Sequence, residues 1–544
     1  MKKDTSIHQP GKPLTFWACA GLLTVLLVSI ITRDITRPFY GLHSWAQASG
    51  DWAARSHVKY GLGYTKGVST WAVGQPPTEN PLRYYDHPQL GNLIKAGVMA
   101  VLGVNEWSPR IMGVLLSAAC LLVFLKIMRA LTNDKTALMA GLIYTIFPLS
   151  GYFGLGGFTT LFGFSAIWCY LVLTGSLEKG PKPSAIHKFG LAASLFMGLQ
   201  FGWPGFFYAM TIGIHYVGRC ALLRQMPDKK LLAILIVAPF ASLLVNFTVM
   251  AAGYGWTLQK IVELYKWRSS KGEMQEFLWS AWFAKFWYFA ETNFTLPVLI
   301  TAILYLTVGQ LFILTQTREE KDQQGISGLF PQFWLFFLTP VFQLFVLKGC
   351  LWKHQTWEMP FGPFIAIAAA LGIMLLGDIL GKISHRLSLA GRVCLITVCL
   401  IFCIIGTNYY YDIRWQSPAK IEMFKMLNKK IPPDKALLSF EDFIVDQHSS
   451  KGGFYRPEIA WYLDREITPA RTADDIQRLA GTGRYPYYLI PQADQLMPLI
   501  NLLTRLYKYQ YVAGDPGAET KDGNFLRAGV IPYLIFDLNS KIIN

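Results

Sequence analysis

The sequence has 544 residues, of which 52% are hydrophobic and only 15% are charged. Soluble proteins carry about 25% charged residues, so this chain cannot cover a water-facing surface and must lie largely in lipid. The net charge of +16 is placed mostly in short links between apolar runs. That placement argues against a nucleic-acid surface and is typical of a membrane topology signal. The eight cysteines include no CxxC pair, so neither a disulfide framework nor a metal site is indicated.

The apolar runs predict about eleven transmembrane helices. The first, at 14–31, follows Lys2, Lys3 and Lys12 and is interpreted as an uncleaved helix with a cytoplasmic N-terminus. A long apolar stretch at 188–222 is interrupted by Gly202-Trp203-Pro204-Gly205 and is predicted to form two short helices. The remaining spans are predicted at 110–128, 136–153, 158–177, 231–252, 294–315, 330–348, 359–380 and 392–411.

The links predicted to face the cytoplasm all contain basic residues, as the positive-inside bias requires. These links are 129–135, 178–188, 219–230, 316–328 and 381–392. An odd number of spans then places the C-terminal part of the chain outside. It shares that face with the long first loop.

Three regions outside the predicted spans are distinguished by composition. The first loop, 32–90, is rich in aromatic, acidic and histidine residues, and loops of this kind carry function. The segment 253–293 mixes tryptophans with lysines and arginines, which suits either a helix in the lipid headgroup layer or an ordinary aromatic belt. Residues 412–544 alternate short predicted strands and helices, which indicates a small α/β domain. Helices are expected at 417–429 and 494–508, and strands at 436–440, 487–490, 509–513 and 532–537.

Chemistry-capable residues are concentrated in the first loop. Asp34 lies just beyond the first helix between two arginines, where it can stay ionised and act as a base, or simply belong to an interfacial charge cluster. Asp51 has Arg55 four residues later, which also fits a plain surface pair. His43 and His57 lack the spacing of metal ligands, so a polar loop role is favoured for both. Asp86 and His87 precede an amphipathic segment at 93–102.

A second polar group follows the predicted span at 330–348. Lys348, Lys353 and His354 at the outer end of a helix could hold a phosphate. A topological anchor is the plain alternative, but basic residues on the outer face oppose the positive-inside bias, which favours function.

Four motifs, taken in order, resemble the GT-C glycosyltransferases, most closely the protein O-mannosyltransferase and aminoarabinose-transferase group. Tyr85-Asp86-His87-Pro88-Gln89-Leu90 resembles the Asp-x-His-Pro-Pro-Leu element, with Gln89 at the second proline. Glu106–Arg110 resembles a Glu-x-x-x-Arg link. Lys353–Pro363 resembles a Lys/Arg-x(n)-Tyr-x-x-Pro-x-x-Pro helix start, with Trp357 at the aromatic position. Pro457–Arg465 resembles an apolar-Tyr-Leu-Gly-Arg segment.

The chain departs from this family at one place in the first loop. The family often carries an Asp-Glu pair before an Ala-Arg helix, whereas this chain has His43-Ser44-Trp45-Ala46-Gln47-Ala48. Another carboxylate must then act as base: Asp34 is the first choice, Asp51 the second, and Asp86 a further candidate.

The resemblance implies a polytopic α-helical membrane enzyme with a transmembrane catalytic module at 1–411 and an extracytoplasmic α/β domain at 412–544. Such an enzyme moves a sugar, with inversion, from a polyprenyl-phosphate carrier to a lipid, glycan or protein acceptor in the bacterial inner membrane. Lys348, Lys353, His354 and Arg83 would bind the donor phosphate, and His43, Arg55, His57 and His87 would support the acceptor side. Whether the reaction needs a divalent cation does not follow from the sequence. The main alternative is a transporter of a lipid-linked glycan, for which the helix break at 202–205 is the only hint. The gathering of chemistry-capable residues at one face favours an enzyme instead, and a third alternative is a receptor or scaffold whose outer domain binds a partner.

Overall fold

A computed structural model describes most of the chain. The described residues are 13–77, 79, 81–84, 87–177, 180–254, 258–270, 276–309, 311, 330–352, 354–441, 443–445, 454–512, 518–521, 524–527 and 532–542. Two residues of the predicted site, Asp86 and Lys353, lie outside these ranges.

Helices dominate the described residues. They are α1 (Pro13–Ile31), α2 (Ser44–Thr65), α3 (Leu90–Leu102), α4 (Trp107–Leu131), α5 (Asp134–Ile146), α6 (Pro148–Phe153), α7 (Phe158–Leu173), α8 (Ala185–Phe201), α9 (Pro204–Leu222), α10 (Lys229–Tyr254), α11 (Leu258–Ser269), α12 (Trp279–Phe294), α13 (Leu296–Leu304), α14 (Phe330–Val346), α15 (Gly362–Gly381), α16 (His385–Asp412), α17 (Pro418–Lys430), α18 (Pro457–Leu463), α19 (Ala473–Ala480) and α20 (Met497–Leu506). A π-helical turn spans Tyr305–Gly309, and 3₁₀ turns span Lys348–Cys350, Gln355–Phe361 and Asp494–Leu496.

The strands are short. They are β1 (Ser69–Trp71), β2 (Leu82–Tyr84), β3 (Leu437–Ser439), β4 (Ile444–Val445), β5 (Phe454–Tyr455), β6 (Ile467–Pro469), β7 (Tyr487–Pro491), β8 (Tyr507–Val512), β9 (Ala518–Lys521), β10 (Asn524–Arg527) and β11 (Tyr533–Lys541).

The chain divides into two compact units. Residues 1–35, 110–251 and 256–410 form one, which we call the helical unit, and residues 36–109, 252–255 and 411–544 form the other, which we call the α/β unit. The first loop thus belongs to the same unit as the C-terminal part of the chain, although they are far apart in sequence.

Several helices match the length and hydropathy of a membrane span. Within the described residues, five stretches do so: Leu14–Ile31, Trp107–Leu131, Lys229–Gly253, Gln355–Gly381 and His385–Asp412. The helices Trp279–Phe294 and Leu296–Gly309 meet at 103° and make a sixth if counted as one broken span. The protein is therefore a multi-pass membrane protein.

The break predicted at 202–205 is present between α8 and α9. Gly205 packs so closely on the preceding helix that an added Cβ would lie 2.6 Å from the carbonyl carbon of Gly198. Only a glycine fits at this point, and Pro204 starts the next helix, where its missing N–H costs nothing. The two helices therefore pack against each other, as an apolar stretch broken by Gly and Pro predicts.

A five-stranded sheet organises the C-terminal part of the α/β unit, with strand order β6-β3-β7-β11-β8. Strand β3 pairs in parallel with β6 and β7, whereas β11 is antiparallel to β7 and β8. The helices and strands predicted here agree with α17, α20, β3, β7, β8 and β11.

Alternation along the strands gives this sheet two buried faces. Leu437 and Leu489 face a core that includes Trp52 of α2 and Phe424 of α17. Their neighbours Leu438, Tyr488 and Ile490 face a second core with Ile476 of α19 and Leu503 of α20. The first loop therefore supplies part of the hydrophobic cover of the C-terminal sheet.

Polar contacts within the α/β unit connect the same two segments. The Tyr462 hydroxyl accepts a hydrogen bond from the backbone N–H of Phe39 at 2.8 Å, and Lys59 donates to Asp464 at 2.6 Å. The backbone N–H of Trp415 donates to the carbonyl of Tyr40 at 2.7 Å. These direct contacts hold the two segments together within one unit.

Candidate active site

Asp34 lies in the helical unit, in the turn that follows α1. Its side chain is exposed. Its neighbour Arg33 donates a hydrogen bond to Oδ1 of Asn408 on α16 at 2.5 Å, which fixes the exit of α1 against a second helix. The structure therefore holds an accessible carboxylate at the end of a membrane-spanning helix.

Asp51 has a different environment, in the middle of α2. Its side chain is fully buried, and Oδ1 accepts a hydrogen bond from Lys95 of α3 at 2.8 Å. Gly50 leaves the space for this contact, since a Cβ there would lie 3.2 Å from the Lys95 Nζ. Among the described residues, Oδ2 of Asp51 has no hydrogen-bond partner. The geometry is that of a buried ion pair joining two helices.

Arg55, one turn after Asp51, contacts the end of α18. Its guanidinium donates to the carbonyl oxygens of Trp461 at 2.6 Å and Ala460 at 3.0 Å, and it lies over the Trp461 ring. The last carbonyls of a helix have no partner within the helix, so Arg55 caps α18. It joins the first loop to the C-terminal segment.

His57 is buried and accepts no proton readily. The Thr65 hydroxyl donates to the Gly61 carbonyl at 3.0 Å, so the 2.8 Å contact between Thr65 Oγ1 and His57 Nδ1 has the imidazole as donor. Within the described residues, Nε2 has no hydrogen-bond partner. Burial lowers the pKa of His57 to about 4. His57 is therefore neutral at physiological pH.

Arg83 lies on β2 and binds backbone carbonyls. It donates to Tyr64 at 3.0 Å, at the end of α2, and to Gly253 at 3.0 Å, in the last turn of α10. Both contacts lie within the α/β unit. Arg83 thus anchors the β1–β2 hairpin through the same groups that a phosphate would need.

His43 and Ser44 begin α2, at the position where the sequence lacks an acid. His43 is buried with a left-handed backbone, φ 52°, and its ring packs on Trp415 at 4.8 Å. The Ser44 hydroxyl donates to the carboxylate of Glu458 at 3.2 Å. Burial raises the pKa of Glu458 to about 6, although hydrogen bonds from Ser44 and Gln416 act in the opposite direction.

The sequence did not identify Glu458 as a site residue, because no pattern of neighbouring residues distinguishes it. It lies more than four hundred positions after Ser44, and only its place in the apolar Pro457–Arg465 motif distinguished it from a surface residue.

The basic cluster of the helical unit begins at Lys348. Its ammonium lies 4.2 Å from the Phe277 ring centroid and 5.1 Å from that of Trp279. The Trp282 indole donates to the Lys348 carbonyl at 2.9 Å, and the His354 carbonyl accepts from the backbone of Trp357 at 2.9 Å. Aromatic faces therefore hold Lys348 in place in the 3₁₀ turn Lys348–Cys350, and His354 lies directly before the next 3₁₀ turn.

A buried polar network includes Glu358 of the 3₁₀ turn Gln355–Phe361. Glu358 is fully buried, and its Oε2 accepts a hydrogen bond from Nδ2 of Asn293 at 3.0 Å. Asn293 in turn accepts from the Tyr410 hydroxyl at 2.7 Å. The sequence signal for this network was Glu358, an acidic residue at the start of an apolar helix. From the sequence, Glu358 was identified only as a member of the Lys353–Pro363 motif and was given no role of its own.

The predicted residues are therefore divided between the two units. Asp34, Lys348 and His354 belong to the helical unit, whereas His43, Asp51, Arg55, His57, Arg83 and His87 belong to the α/β unit. In the described part of the chain, no three His, Cys, Asp or Glu side chains come together as a metal site.

Comparison with known proteins identifies the fold. Residues 86–241 match the family described as dolichyl-phosphate-mannose-protein mannosyltransferase. ArnT from Cupriavidus metallidurans in the apo state has a TM-score of 0.59 at 11% identity, covering 97% of this chain and 98% of ArnT. The chain therefore has the fold of ArnT, and residues 86–241 match the mannosyltransferase family model.

Two further structures share the fold of this chain. ArnT from Cupriavidus metallidurans bound to undecaprenyl phosphate has a TM-score of 0.53 at 11% identity, covering 96% of this chain and 97% of that one. The apo oligosaccharyltransferase of Archaeoglobus fulgidus has a TM-score of 0.55 at 10% identity, covering 95% and 74%. Among curated proteins, none matches the sequence.

The structure gives a reason for Gln89 at the position where the motif has its second proline. Gln89 is buried, its oxygen accepts from the Ser69 backbone N–H at 2.6 Å, and its amide donates to the carbonyls of His87 at 2.6 Å and Tyr84 at 3.2 Å. A proline could make none of these bonds. His87 itself is exposed, with its ring 5.5 Å from that of Tyr84. Gln89 therefore fixes the loop that presents His87.

Proposed function

We propose that this protein is a membrane glycosyltransferase of the GT-C superfamily, which moves a sugar from a polyprenyl-phosphate carrier to an acceptor at the extracytoplasmic face of the membrane, with inversion at the anomeric carbon. One observation carries the proposal. The fold shared with ArnT bound to undecaprenyl phosphate extends over 96% of this chain, and the family matched at 86–241 is described by a lipid-phosphate sugar donor.

The proposed topology has about eleven transmembrane helices, a cytoplasmic N-terminus and an α/β domain at 412–544 in the periplasm of a bacterial inner membrane. Since the first loop and the C-terminal segment form one compact unit, the chain between them crosses the membrane an even number of times. The predicted layout satisfies this condition, because all of its spans but the first lie between the two segments. The basic links at 129–135 and 381–392 are then cytoplasmic.

In this mechanism, cations bind the donor phosphate and stabilise the charge that develops on it as the sugar leaves. Lys348 and His354 are proposed for this role, together with Lys353 outside the described residues. Seating of the Lys348 ammonium on aromatic rings orders it before the donor arrives, which lowers the entropy cost of binding. Arg83 is the weaker candidate, because its guanidinium already donates to two carbonyls.

The proposed general base is Asp34, which removes the proton of the acceptor nucleophile as it attacks the anomeric carbon. A base must come within hydrogen-bond reach of its proton, and Asp34 is exposed whereas Asp51 is buried in an ion pair. Asp51 is the second choice, and Asp86 lies outside the described residues. His43, Arg55, His57 and His87 are proposed to support the acceptor side of the site.

The acceptor is proposed to be a lipid, an envelope glycan or a protein that reaches the α/β unit from the aqueous side. The decisive experiment incubates the purified protein with a panel of polyprenyl-phosphate sugars and envelope acceptors, and follows the release of polyprenyl phosphate together with sugar transfer. Release with an inverted anomeric centre in the product would support the proposal. Intact donors throughout, with transport of a lipid-linked glycan across vesicles, would replace it with the transporter reading.

A further inference from the structure

The polar network at the start of α15 contains two buried groups whose hydrogen-bonding capacity is unused. In the part of the chain that the structure describes, Oε1 of Glu358 and Nε2 of Gln355 have no partner, and both side chains are buried. Unpaired buried polar groups are rare and costly. Two of them in one turn indicate that a ligand atom completes the network.

The two groups belong to a single rigid arrangement. They lie three residues apart in the 3₁₀ turn Gln355–Phe361, and side chains at that spacing align on one face of a 3₁₀ helix. Nδ2 of Asn293 donates both to Oε2 of Glu358 at 3.0 Å and to the Gln355 carbonyl at 3.1 Å. The Tyr410 hydroxyl donates to Oδ1 of Asn293, which fixes the orientation of the amide.

The network also determines the form of the carboxyl. Among the described residues, no lysine, arginine or histidine forms an ion pair with Glu358, and burying an ionised carboxylate without a partner is prohibitively costly. Glu358 is therefore a neutral acid. Because Oε2 accepts from Asn293, the proton resides on Oε1, which becomes a donor without an acceptor.

We propose that Gln355 and Glu358 donate hydrogen bonds to a phosphate group, with Glu358 acting as a neutral carboxylic acid. Two unused donors call for a ligand rich in acceptor oxygens. A phosphate supplies several acceptor oxygens and needs no donation in return, whereas a sugar hydroxyl needs an acceptor as well. Both side chains are buried, so a phosphate bound to them is shielded from water.

This inference rests on the proposed function for the identity of the phosphate, which is the group that joins the sugar to the polyprenyl carrier. Free inorganic phosphate has the same chemistry. An ionised Glu358 would repel either ligand, so the proposal predicts that binding weakens when the carboxyl loses its proton.

The test measures donor KM and kcat for the wild type, E358Q, E358L and Q355L between pH 6 and pH 9. Glutamine keeps an N–H donor in the same place, so E358Q is expected to retain the wild-type KM and to lose the rise in KM at alkaline pH. E358L and Q355L are expected to raise KM about 10- to 100-fold, as loss of a hydrogen bond to a charged group does. An E358Q variant as impaired as E358L, or an E358L variant with wild-type KM, would overturn the proposal.

The matched control is Q332L. Gln332 on α14 is as buried as Gln355 and also has an unpartnered side-chain oxygen in the described structure, so its loss tests the general effect of removing a buried amide. Melting temperatures identify variants that fail to fold. If E358L does so, the pH profile of E358Q still decides.

Competition identifies the source of the phosphate. Inhibition of the wild type by polyprenyl phosphate alone assigns the site to the lipid, and inhibition by inorganic phosphate as well assigns it to phosphate in general. Inhibition by neither, with the donor turned over, overturns the inference alone. If no polyprenyl-phosphate sugar is turned over, the proposed function fails, and direct binding of polyprenyl phosphate to the wild type and E358L then tests the inference separately.

Discussion

The Nζ atom of Lys95 lies 2.8 Å from Oδ1 of Asp51, and this pair joins α3 to α2 inside the α/β unit. The carboxylate is almost completely inaccessible, whereas the ammonium retains about a quarter of its exposure. Removing one member of a buried pair leaves an uncompensated charge, which costs more than the pair itself contributes.

We expect K95M to lower the free energy of unfolding by about 3 kcal/mol. The double variant D51N/K95M removes both charges and is expected to recover part of the loss. Chemical denaturation measures stability, and the transfer assay decides the role of Asp51. If the folded double variant transfers sugar, Asp51 is a structural residue; if the activity stays lost, Asp51 belongs to the chemistry.

At Asp34 we expect the opposite pattern. D34N is predicted to lower kcat by roughly 10²- to 10⁴-fold, the usual contribution of a general base, and to leave the melting temperature unchanged because the side chain is exposed. D412N is the matched control, since Asp412 is also an exposed carboxylate near the end of a long helix. Retained activity in D34N would remove Asp34 from the mechanism.

The pKa of His57 predicts a loss of stability in acid. Its value in the folded protein, about 4, is below its ordinary value of 6.5, so the unfolded chain binds the proton more tightly. Stability contributed by the neutral imidazole is therefore complete above pH 6.5 and is lost as pH falls towards 4. At about 1.36 kcal/mol per pKa unit, the full change is about 3 kcal/mol. The H57N variant is expected to lack this loss of stability when its urea unfolding at pH 7 is compared with that at pH 4.5.

The pKa of Glu458 predicts that stability rises, rather than falls, as the pH is lowered through an overlapping range. Its folded pKa of about 6 exceeds the ordinary 4.5, so the folded state binds the proton more tightly. Lowering the pH from 7 to 4.5 should stabilise the fold by about 2 kcal/mol. The difference in unfolding free energy between the wild type and E458Q isolates this contribution from that of His57. A difference independent of pH would contradict the assignment.

Replacing Gln89 tests the substitution within the family motif. Q89P introduces the family's residue but removes the acceptor for the buried Ser69 N–H and both bonds to the loop carbonyls. Leaving a buried donor unsatisfied costs about 1–3 kcal/mol, so Q89P is expected to lower the melting temperature. Q89A separates this loss from the backbone effect of proline, and equal stability of Q89P and the wild type would refute the structural account.

The sequence predicted the helical elements well because their signals are local. Within the described residues, each predicted transmembrane segment overlaps at least one helix, although only five or six of these helices match the length and hydropathy of a span. The break at 202–205 occurs between α8 and α9. Likewise, Ser417–Lys429 and Tyr487–Ile490 agree closely with α17 and β7. Apolar length, glycine and proline act within a few residues of their own position, so no knowledge of distant contacts was needed.

The environments of the site residues were not predictable in this way. Asp51 and Asp34 have the same side chain in the same loop, yet Lys95 and burial separate them. A surface pair with Asp51 was one interpretation of Arg55, but its guanidinium caps α18. Glu458 reaches Ser44 from the other end of the chain, and no local pattern records that contact.

The amino-acid sequence alone determined that this protein lies in the membrane, where its helices begin and break, and which family it resembles, since these properties follow from the hydropathy and order of neighbouring residues. Only the tertiary structure decided that the first loop completes the core of the C-terminal sheet and which carboxyls are exposed, ion-paired or neutral. Those properties depend on dielectric surroundings and hydrogen-bond partners, which residues hundreds of positions apart create only when the chain has folded.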